Sequence, residues 1–330
     1  MKTKQLLFFI ALLLVFTINA QNIITVDNTP GNEAADYDDL LEAISGASPG
    51  DTIYVHSSSD SYGDITVDKE LHLRGYSHSD DNKVTYIESI EFGENASDSS
   101  FKSLHITGNV LVDNLNTALT GLVFENNIIE GTMSFRDAGV GFMTIRGNVV
   151  GYIGSSGNGI SSEFFQTIIS NNIITDIVSV KYYDTVTIEN NIFYYDSGSY
   201  IIRNLDSGNG SVTVQNNIIY TTYSNNNLDI NFNGVLFDHC WAYNRGSGSM
   251  GPLDGSNNTV NVDPLFVSAE DSIFDAYLDD YHLQPGSTAI GAGAGGADVG
   301  IYDGSSFEFN NIGFTNNLPT VKITAMPSTV

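Results

Sequence analysis

A short pattern centred on an asparagine recurs through the middle of the chain. Apolar residues stand five and three positions before the asparagine and one position after it, with Thr167 as the one exception. The copies are centred on Asn109, Asn127, Asn148, Asn172, Asn191 and Asn217, at spacings of 18, 21, 24, 19 and 26 residues. Alternating apolar residues indicate a β-strand, and the asparagine indicates a tight turn before a second strand. Because one repeat of this length cannot bury a core alone, the pattern predicts stacked coils, a β-solenoid.

The fixed asparagine has a physical explanation. Asparagine tolerates the left-handed backbone conformation that a tight turn needs. In coils stacked about 4.8 Å apart, its amide can also donate to one neighbouring coil and accept from the other. We therefore predict that the six asparagines form a hydrogen-bonded ladder. We expect Asn171 to tolerate substitution better than Asn172, because Gly108 and Gly147 occupy the equivalent position in other copies.

The first 20 residues have the features of a secretory signal peptide. Lys2 and Lys4 precede an apolar run over 6–16, and small or polar residues lead to Ala20. The run is too short for a membrane anchor, the alternative interpretation. We therefore expect cleavage after Ala20 and a secreted or cell-surface protein with no transmembrane segment in its mature chain.

Two flanking regions extend the solenoid pattern. Residues 36–44 place apolar side chains at helical spacing after acidic residues, and short strand patterns follow at 52–55 and 65–67. Near the other end stand Asp263-Pro264-Leu265-Phe266 and, further on, the segment 282–300 with His282-Leu283-Gln284-Pro285-Gly286-Ser287 and Asp298-Val299-Gly300.

With these flanks the sequence resembles the right-handed parallel β-helix of the pectin-lyase-like superfamily. The closing motifs are similar to those of secreted bacterial β-helix surface proteins of the "choice-of-anchor Q" type. The resemblance implies an all-β, right-handed parallel β-helix over 21–304, with an Asn ladder and a short N-terminal capping helix. It implies export and surface display, but no single activity. Residues 305–330 fit a terminal strand, a linker stub or a disordered tail.

The charge balance restricts the partners. The chain has 12 Lys and Arg against 39 Asp and Glu, a formal net charge of −27. This excludes nucleic-acid binding, which needs clustered basic residues. An acidic polysaccharide could bind only through a cation or a local basic patch. The single cysteine, Cys240, cannot form an intrachain disulfide, and we expect it to be a buried small side chain in a monomer.

No complete catalytic constellation is present in the sequence. Superfamily hydrolases use paired carboxylates, but the expected Asp-Asp pair followed by Gly-His-Gly is absent. A polysaccharide lyase is the remaining enzymatic alternative. Strand periodicity predicts one outward column that consists of Arg136, Glu163, Lys181, Arg203 and Asp229. Arg136, Lys181 and Arg203 could hold sugar carboxylates there, or the mixed charges could simply neutralise one another. His239 is a further catalytic candidate.

Aromatic residues suggest a second surface. Tyr194, Tyr220, Trp241 and Tyr243 lie near one another in successive coils and could stack on sugar rings, or they could seal the flank of the solenoid. Acid-rich loops such as Asp271–Asp280 could bind Ca²⁺, although no ligand set can be assigned. The sequence thus predicts a carbohydrate-binding or structural and adhesive module for a polysaccharide or cell-surface glycan, with a lyase as the alternative.

Overall fold

The computed structural model describes residues 21–31, 34–80, 83–113, 115–135, 139–154, 163–182, 185–195, 201–204, 212–222, 236–246, 248–269, 273–304 and 307–313. Within these residues almost every regular element is a short strand. The regular elements that are not strands are helix α1 (Leu40–Gly46) and a 3-10 turn at Ala294–Gly296.

In chain order the strands are β1 (Ile23–Val26), β2 (Thr52–Val55), β3 (Ile65–Val67), β4 (His72–Arg74), β5 (Tyr86–Ile87), β6 (Ile90–Phe92), β7 (Ser100–Lys102), β8 (His105–Ile106), β9 (Val110–Val112), β10 (Leu119–Thr120), β11 (Val123–Glu125), β12 (Ile128–Phe135), β13 (Val140–Gly141), β14 (Thr144–Arg146), β15 (Val149–Gly154), β16 (Glu163–Phe165), β17 (Thr167–Ser170), β18 (Ile173–Ile174), β19 (Val178–Tyr182), β20 (Val186–Glu189), β21 (Ile192–Tyr195), β22 (Ile202–Asn204), β23 (Val212–Gln215), β24 (Ile218–Thr221), β25 (Leu236–Asp238), β26 (Trp241–Asn244), β27 (Gly255–Ser256), β28 (Thr259–Val260), β29 (Phe266–Ser268) and β30 (Asp280–Leu283).

The strands of successive coils pair in parallel. In the described residues an 11-stranded sheet has the order β1-β2-β4-β7-β11-β14-β17-β20-β23-β25-β27. A 17-stranded sheet takes the other solenoid strands, and β29 and β30 form a separate antiparallel pair. The structure therefore confirms the predicted fold class, an all-β parallel solenoid.

The core is built from columns of apolar side chains, one from each coil. In the 11-stranded sheet the pairing aligns Leu73, Phe101, Phe124, Ile145, Ile169, Ile188, Val214 and Phe237. All are buried, and the rings of Phe101 and Phe124 stack at a centroid distance of 5.2 Å. The period-2 alternation of the sequence thus produces one continuous core.

Helix α1 closes the first coil, as predicted. The Asp39 side chain accepts a hydrogen bond from the Glu42 N–H at 2.9 Å and so caps the N-terminus. Leu40, Ala43 and Ile44 face the core. At the C-terminal end, the Lys69 ammonium donates to the Ile44 carbonyl at 3.1 Å.

The described residues of the range 263–313, which we call the closing segment, fold back along the outside of the solenoid. The Gly300 N–H donates to the Asn216 carbonyl at 3.0 Å. Further toward the first coils, Asn171 Nδ2 donates to the Ile301 carbonyl at 2.8 Å, and Ser77 Oγ donates to the Ile312 carbonyl.

A second apolar cluster forms beneath the closing segment. In this cluster Tyr281, Val299 and Ile301 of the closing segment pack with the solenoid residues Ile173, Ile192 and Ile218. Within the described part of the chain, no helix has the length and apolar character that a membrane span requires.

Candidate functional site

The predicted asparagine ladder occupies the turn of the solenoid core. Asn127 Nδ2 donates to Asn148 Oδ1 at 2.9 Å, and the same contact at 3.0 Å links each later asparagine to the next. The column contains Asn127, Asn148, Asn172, Asn191 and Asn217. None of these side chains is accessible to solvent.

Asn109 is not part of the column, and its assignment to the ladder was wrong. Its Oδ1 accepts hydrogen bonds from the N–H and hydroxyl of Thr132 at 2.9 and 3.1 Å. The ladder position in that coil is Leu104, whose N–H donates to Asn127 Oδ1 at 3.0 Å. The pattern favoured Asn109 because Leu104, Ile106 and Val110 stand at its three apolar positions, whereas around Leu104 only Phe101 does.

Cys240 takes the ladder position in the coil after Asn217. Asn217 Nδ2 lies 3.9 Å from Cys240 Sγ, and the Cys240 N–H donates to Asn258 Oδ1 at 2.9 Å. The side chain is fully buried, and burial raises the pKa of the thiol to about 12. This agrees with the prediction of a buried small side chain.

The left-handed turn residue is the one before the ladder asparagine, which corrects the sequence interpretation. Asn126, Asn171, Asn190 and Asn216 have φ between 54° and 55°, and Gly147 has φ 67°. Asn171 is also buried and bonded to the closing segment. The expectation that it tolerates substitution better than Asn172 therefore rested on the wrong assignment of the turn residue.

The aromatic residues are stacked but covered. Tyr194, Tyr220 and Tyr243 are register partners, and adjacent ring centroids lie 5.5 and 5.9 Å apart. The closing segment packs Phe266 and Tyr281 against this stack. Tyr194 is fully buried, so its proposed role as an exposed sugar platform is wrong.

Trp241 is excluded as a platform for the same reason. It is 3% exposed, and its indole Nε1 donates to the Val262 carbonyl at 2.6 Å. Tyr220 and Tyr243 are half-buried. The Arg245 guanidinium lies 4.9 Å from the ring centroid of Tyr194 and 5.9 Å from that of Tyr220, so a cation of the protein itself packs on this stack.

The predicted charged column is only partly in register. Lys181 pairs with Glu163, whereas Arg203 pairs with Ser179 and is therefore two residues out of line with Lys181. Arg136 and Asp229 lie outside the described residues. The lyase face thus stays a prediction.

His239 belongs to a network between coils. Its Nδ1 lies 3.0 Å from Asp238 Oδ2, and that carboxylate also accepts from Gln215 Nε2 at 2.8 Å and Ser256 Oγ at 2.9 Å. Burial raises the pKa of Asp238, but the hydrogen bonds from Gln215, His239 and the next coil outweigh it and lower that pKa. The network ties three coils together.

The described acidic side chains of the 273–280 loop organise the loop itself. Asp275 Oδ1 accepts from the Tyr277 N–H at 2.8 Å, and Asp279 Oδ2 accepts from the Asp275 N–H at 2.8 Å. Among the described residues, no group of three or more His, Cys, Asp or Glu is placed to hold a metal. Ca²⁺ binding stays a prediction.

One cleft in the described part of the chain was not indicated by the sequence. It has a volume of about 790 Å³ and lies between the 11-stranded sheet and the closing segment. The sheet contributes Arg74, Lys102 and Glu125, which are register partners in β4, β7 and β11. Lys102 and Glu125 stand two positions before the buried ladder positions Leu104 and Asn127, so this column of polar residues runs parallel to the ladder. We call the four aligned residues Arg74, Lys102, Glu125 and Arg146 the charged column.

Glu125 holds its two neighbours in the charged column. Lys102 Nζ lies 3.0 Å from Glu125 Oε1, and Arg146 Nε donates to Glu125 Oε2 at 2.7 Å. Burial raises the pKa of Glu125, but the hydrogen bond from Arg146 and the charge of Lys102 outweigh it, so that pKa lies below its ordinary value. Glu125 therefore stays ionised and fixes one wall of the cleft.

The opposite wall combines aromatic and carboxylate groups. His282 stacks on Tyr302 at a centroid distance of 3.7 Å, and its Nδ1 lies 2.6 Å from Asp280 Oδ1. Glu308 also lines the cleft, and Tyr277 stands at its edge with 57% of its surface exposed. The cleft thus offers hydrogen-bond donors on one side, acceptors on the other and an accessible ring.

No family model matches the chain, and no curated protein matches its sequence. The structure by itself places the chain among the parallel β-solenoid proteins, with a polar cleft under its closing segment.

Proposed function

We propose that this protein is a secreted or cell-surface β-solenoid that binds carbohydrate in the cleft between the charged column and the closing segment. The observation that supports the proposal most directly is the composition of this cleft. Its volume of about 790 Å³ is in the range of small-molecule sites, about 300–1,000 Å³.

The chemistry of the lining matches that of a sugar. Hydroxyl groups need both donors and acceptors. Arg74 and Lys102 supply donors, and Asp280 and Glu308 supply acceptors. The apolar face of a pyranose ring can pack on Tyr277, the exposed aromatic residue of the lining.

The scaffold favours binding over catalysis. Two of the carboxylates that line the cleft are engaged with other residues of the protein: Asp280 with His282, and Glu125 with Lys102 and Arg146. A rigid ladder and a closing segment bonded along the coils suit a surface module that holds a glycan, which unites the binding and adhesive roles predicted from the sequence.

The test is calorimetric titration of the full chain with neutral and acidic oligosaccharides. Tyr277→Ala should weaken binding by about 2- to 10-fold, the range expected for an aromatic stacking contact. Phe142→Ala is the matched control, because Phe142 is 55% exposed and lies outside the cleft. Equal affinity for all three proteins would place the site elsewhere, and silence toward every glycan would refute carbohydrate binding. Unsaturated products that absorb in the near ultraviolet would instead support the lyase alternative.

A further inference from the structure

The charged column places like charges side by side. Arg74 and Lys102 are direct register partners on adjacent parallel strands, which lie about 4.8 Å apart. Like charges in this relationship are destabilising. With Arg146, the column gathers three of the chain's 12 basic residues, although the chain has 39 acidic residues available to separate them. Because this repulsion between neighbouring cations lowers stability and yet stands at the wall of a cleft, it indicates a role in binding.

Glu125 offsets only part of this positive charge. Its two oxygens contact Lys102 and Arg146, at the far side of the column from Arg74. Among the described residues no carboxylate lies within 4.0 Å of the Arg74 guanidinium. Its buried Nε also has no hydrogen-bond partner there. Arg74 is thus a cation in the cleft wall that the described residues do not neutralise by contact.

Two of the acids across the cleft, Asp279 and Asp280, are bonded within their own segment. Asp280 Oδ1 accepts from the His282 N–H at 3.0 Å and lies 2.6 Å from His282 Nδ1. Asp279 Oδ2 accepts from the Tyr281 hydroxyl at 3.2 Å. These contacts leave the Arg74 side of the cleft as the position where a negative group of a ligand gains most.

We propose that Arg74 and Lys102 form an anion subsite, which receives a carboxylate, sulfate or phosphate ester carried by the bound glycan. The inference rests on the proposed carbohydrate-binding function and adds the class of sugar. A guanidinium presents a planar fork of donors that matches an oxyanion, and the adjacent ammonium adds a second charge-assisted hydrogen bond. The wider acidic surface would repel a polyanion elsewhere, so an anionic glycan would be held at this one position.

The experiment titrates the full chain with a uronate tetrasaccharide, a sulfated tetrasaccharide, a neutral glucose tetrasaccharide and inorganic sulfate. We expect at least one acidic sugar to bind more tightly than the neutral one, with an affinity that falls as salt is added. Arg74→Gln should reduce its affinity by about 10- to 100-fold, the loss expected for a charge-assisted hydrogen bond. Lys83→Gln, which removes the same charge from an exposed side chain outside the cleft, should have no effect.

The outcomes separate the two proposals. Tighter binding of the neutral sugar, or unchanged affinity of the acidic sugar for the Arg74 variant, overturns the anion subsite and leaves carbohydrate binding intact. Binding of sulfate that Arg74→Gln abolishes, with no sugar bound, supports the subsite and overturns the carbohydrate function. No binding of any probe overturns both. Melting curves of each variant establish that it folds.

Discussion

Asn148 and Asn172 are joined through a single oxygen. Asn172 Oδ1 accepts from the Asn148 backbone N–H at 2.9 Å and from Asn148 Nδ2 at 3.0 Å. Asn148 Nδ2 also donates to the Phe124 carbonyl in the preceding coil at 3.0 Å. Each ladder asparagine therefore satisfies buried groups of two coils, and its loss leaves donors in a region without water.

Asn172→Leu should lower the free energy of unfolding by about 1–3 kcal/mol, because the N–H of Asn148 is left buried without an acceptor. Chemical denaturation of the full chain measures this. Asn109→Leu serves as the control, since Asn109 is half-buried and outside the ladder, where water can replace the lost contacts. Equal losses for the two variants would contradict the ladder as described.

Asn171→Leu should also destabilise the protein, contrary to the expectation from sequence. The residue has φ 54°, where a leucine is strained, and it would lose the hydrogen bond to the Ile301 carbonyl. We expect a loss of about 2–4 kcal/mol, the sum of a left-handed backbone cost and one hydrogen bond. Asn171→Gly keeps the backbone conformation and should lose only the second part. If both variants melt at the same temperature, backbone strain contributes nothing here.

The solenoid could be predicted from sequence because its columns repeat every coil. The apolar positions and the ladder from Asn127 to Asn217 are local features with one spacing rule. The rule failed at Leu104 and at Cys240, which hold the ladder position in their coils but are not asparagine. A pattern search for asparagine cannot find them.

The cleft and the burial of Tyr194 depend on contacts between distant parts of the chain. The closing segment reaches Asn171 across 130 residues and Ser77 across 235. Nothing in the local pattern indicates its path, so the sequence could not show that Tyr194 is covered or that Arg74 faces the 276–282 loop. Glu125 and Arg146 stand two positions before Asn127 and Asn148, but Arg74 and Lys102 precede the aligned repeats, so the repeat pattern did not reveal the charged column.

The fully buried His78 predicts a loss of stability in acid. Burial, with a smaller contribution from His105, lowers the pKa of His78 from 6.5 to about 3, and its Nε2 has no hydrogen-bond partner among the described residues. The unfolded chain therefore binds a proton below pH 6.5 that the folded chain does not bind until about pH 3.

Above pH 6.5 His78 is neutral in the folded and the unfolded chain, so its titration does not lower the free energy of unfolding. Below pH 6.5 the free energy of unfolding falls by about 1.4 kcal/mol per pH unit until the pH approaches 3. Unfolding free energies of the wild type and His78→Gln at pH 7, 6 and 5 test it. The wild type should lose more stability than the variant over this range. Parallel pH dependences would show that His78 is not the responsible group.

Cys240→Asn should stabilise the protein by completing the ladder. Asn217 Nδ2 now faces the Cys240 sulfur at 3.9 Å, a weak acceptor, whereas in the coils before it each Nδ2 meets an amide oxygen at 2.9 or 3.0 Å. An amide at position 240 would accept from Asn217 and donate toward Asn258, whose Oδ1 already accepts from the Cys240 N–H at 2.9 Å. One or two added buried hydrogen bonds should raise the free energy of unfolding by about 0.5–3 kcal/mol.

Cys240→Ser is the control for this prediction, because its short hydroxyl removes the sulfur without reaching both neighbours, and it should not stabilise the protein. Denaturant midpoints of the three proteins under reducing conditions give the comparison. A lower midpoint for Cys240→Asn than for the wild type would mean that this end of the solenoid is shaped for the thiol and not for the ladder.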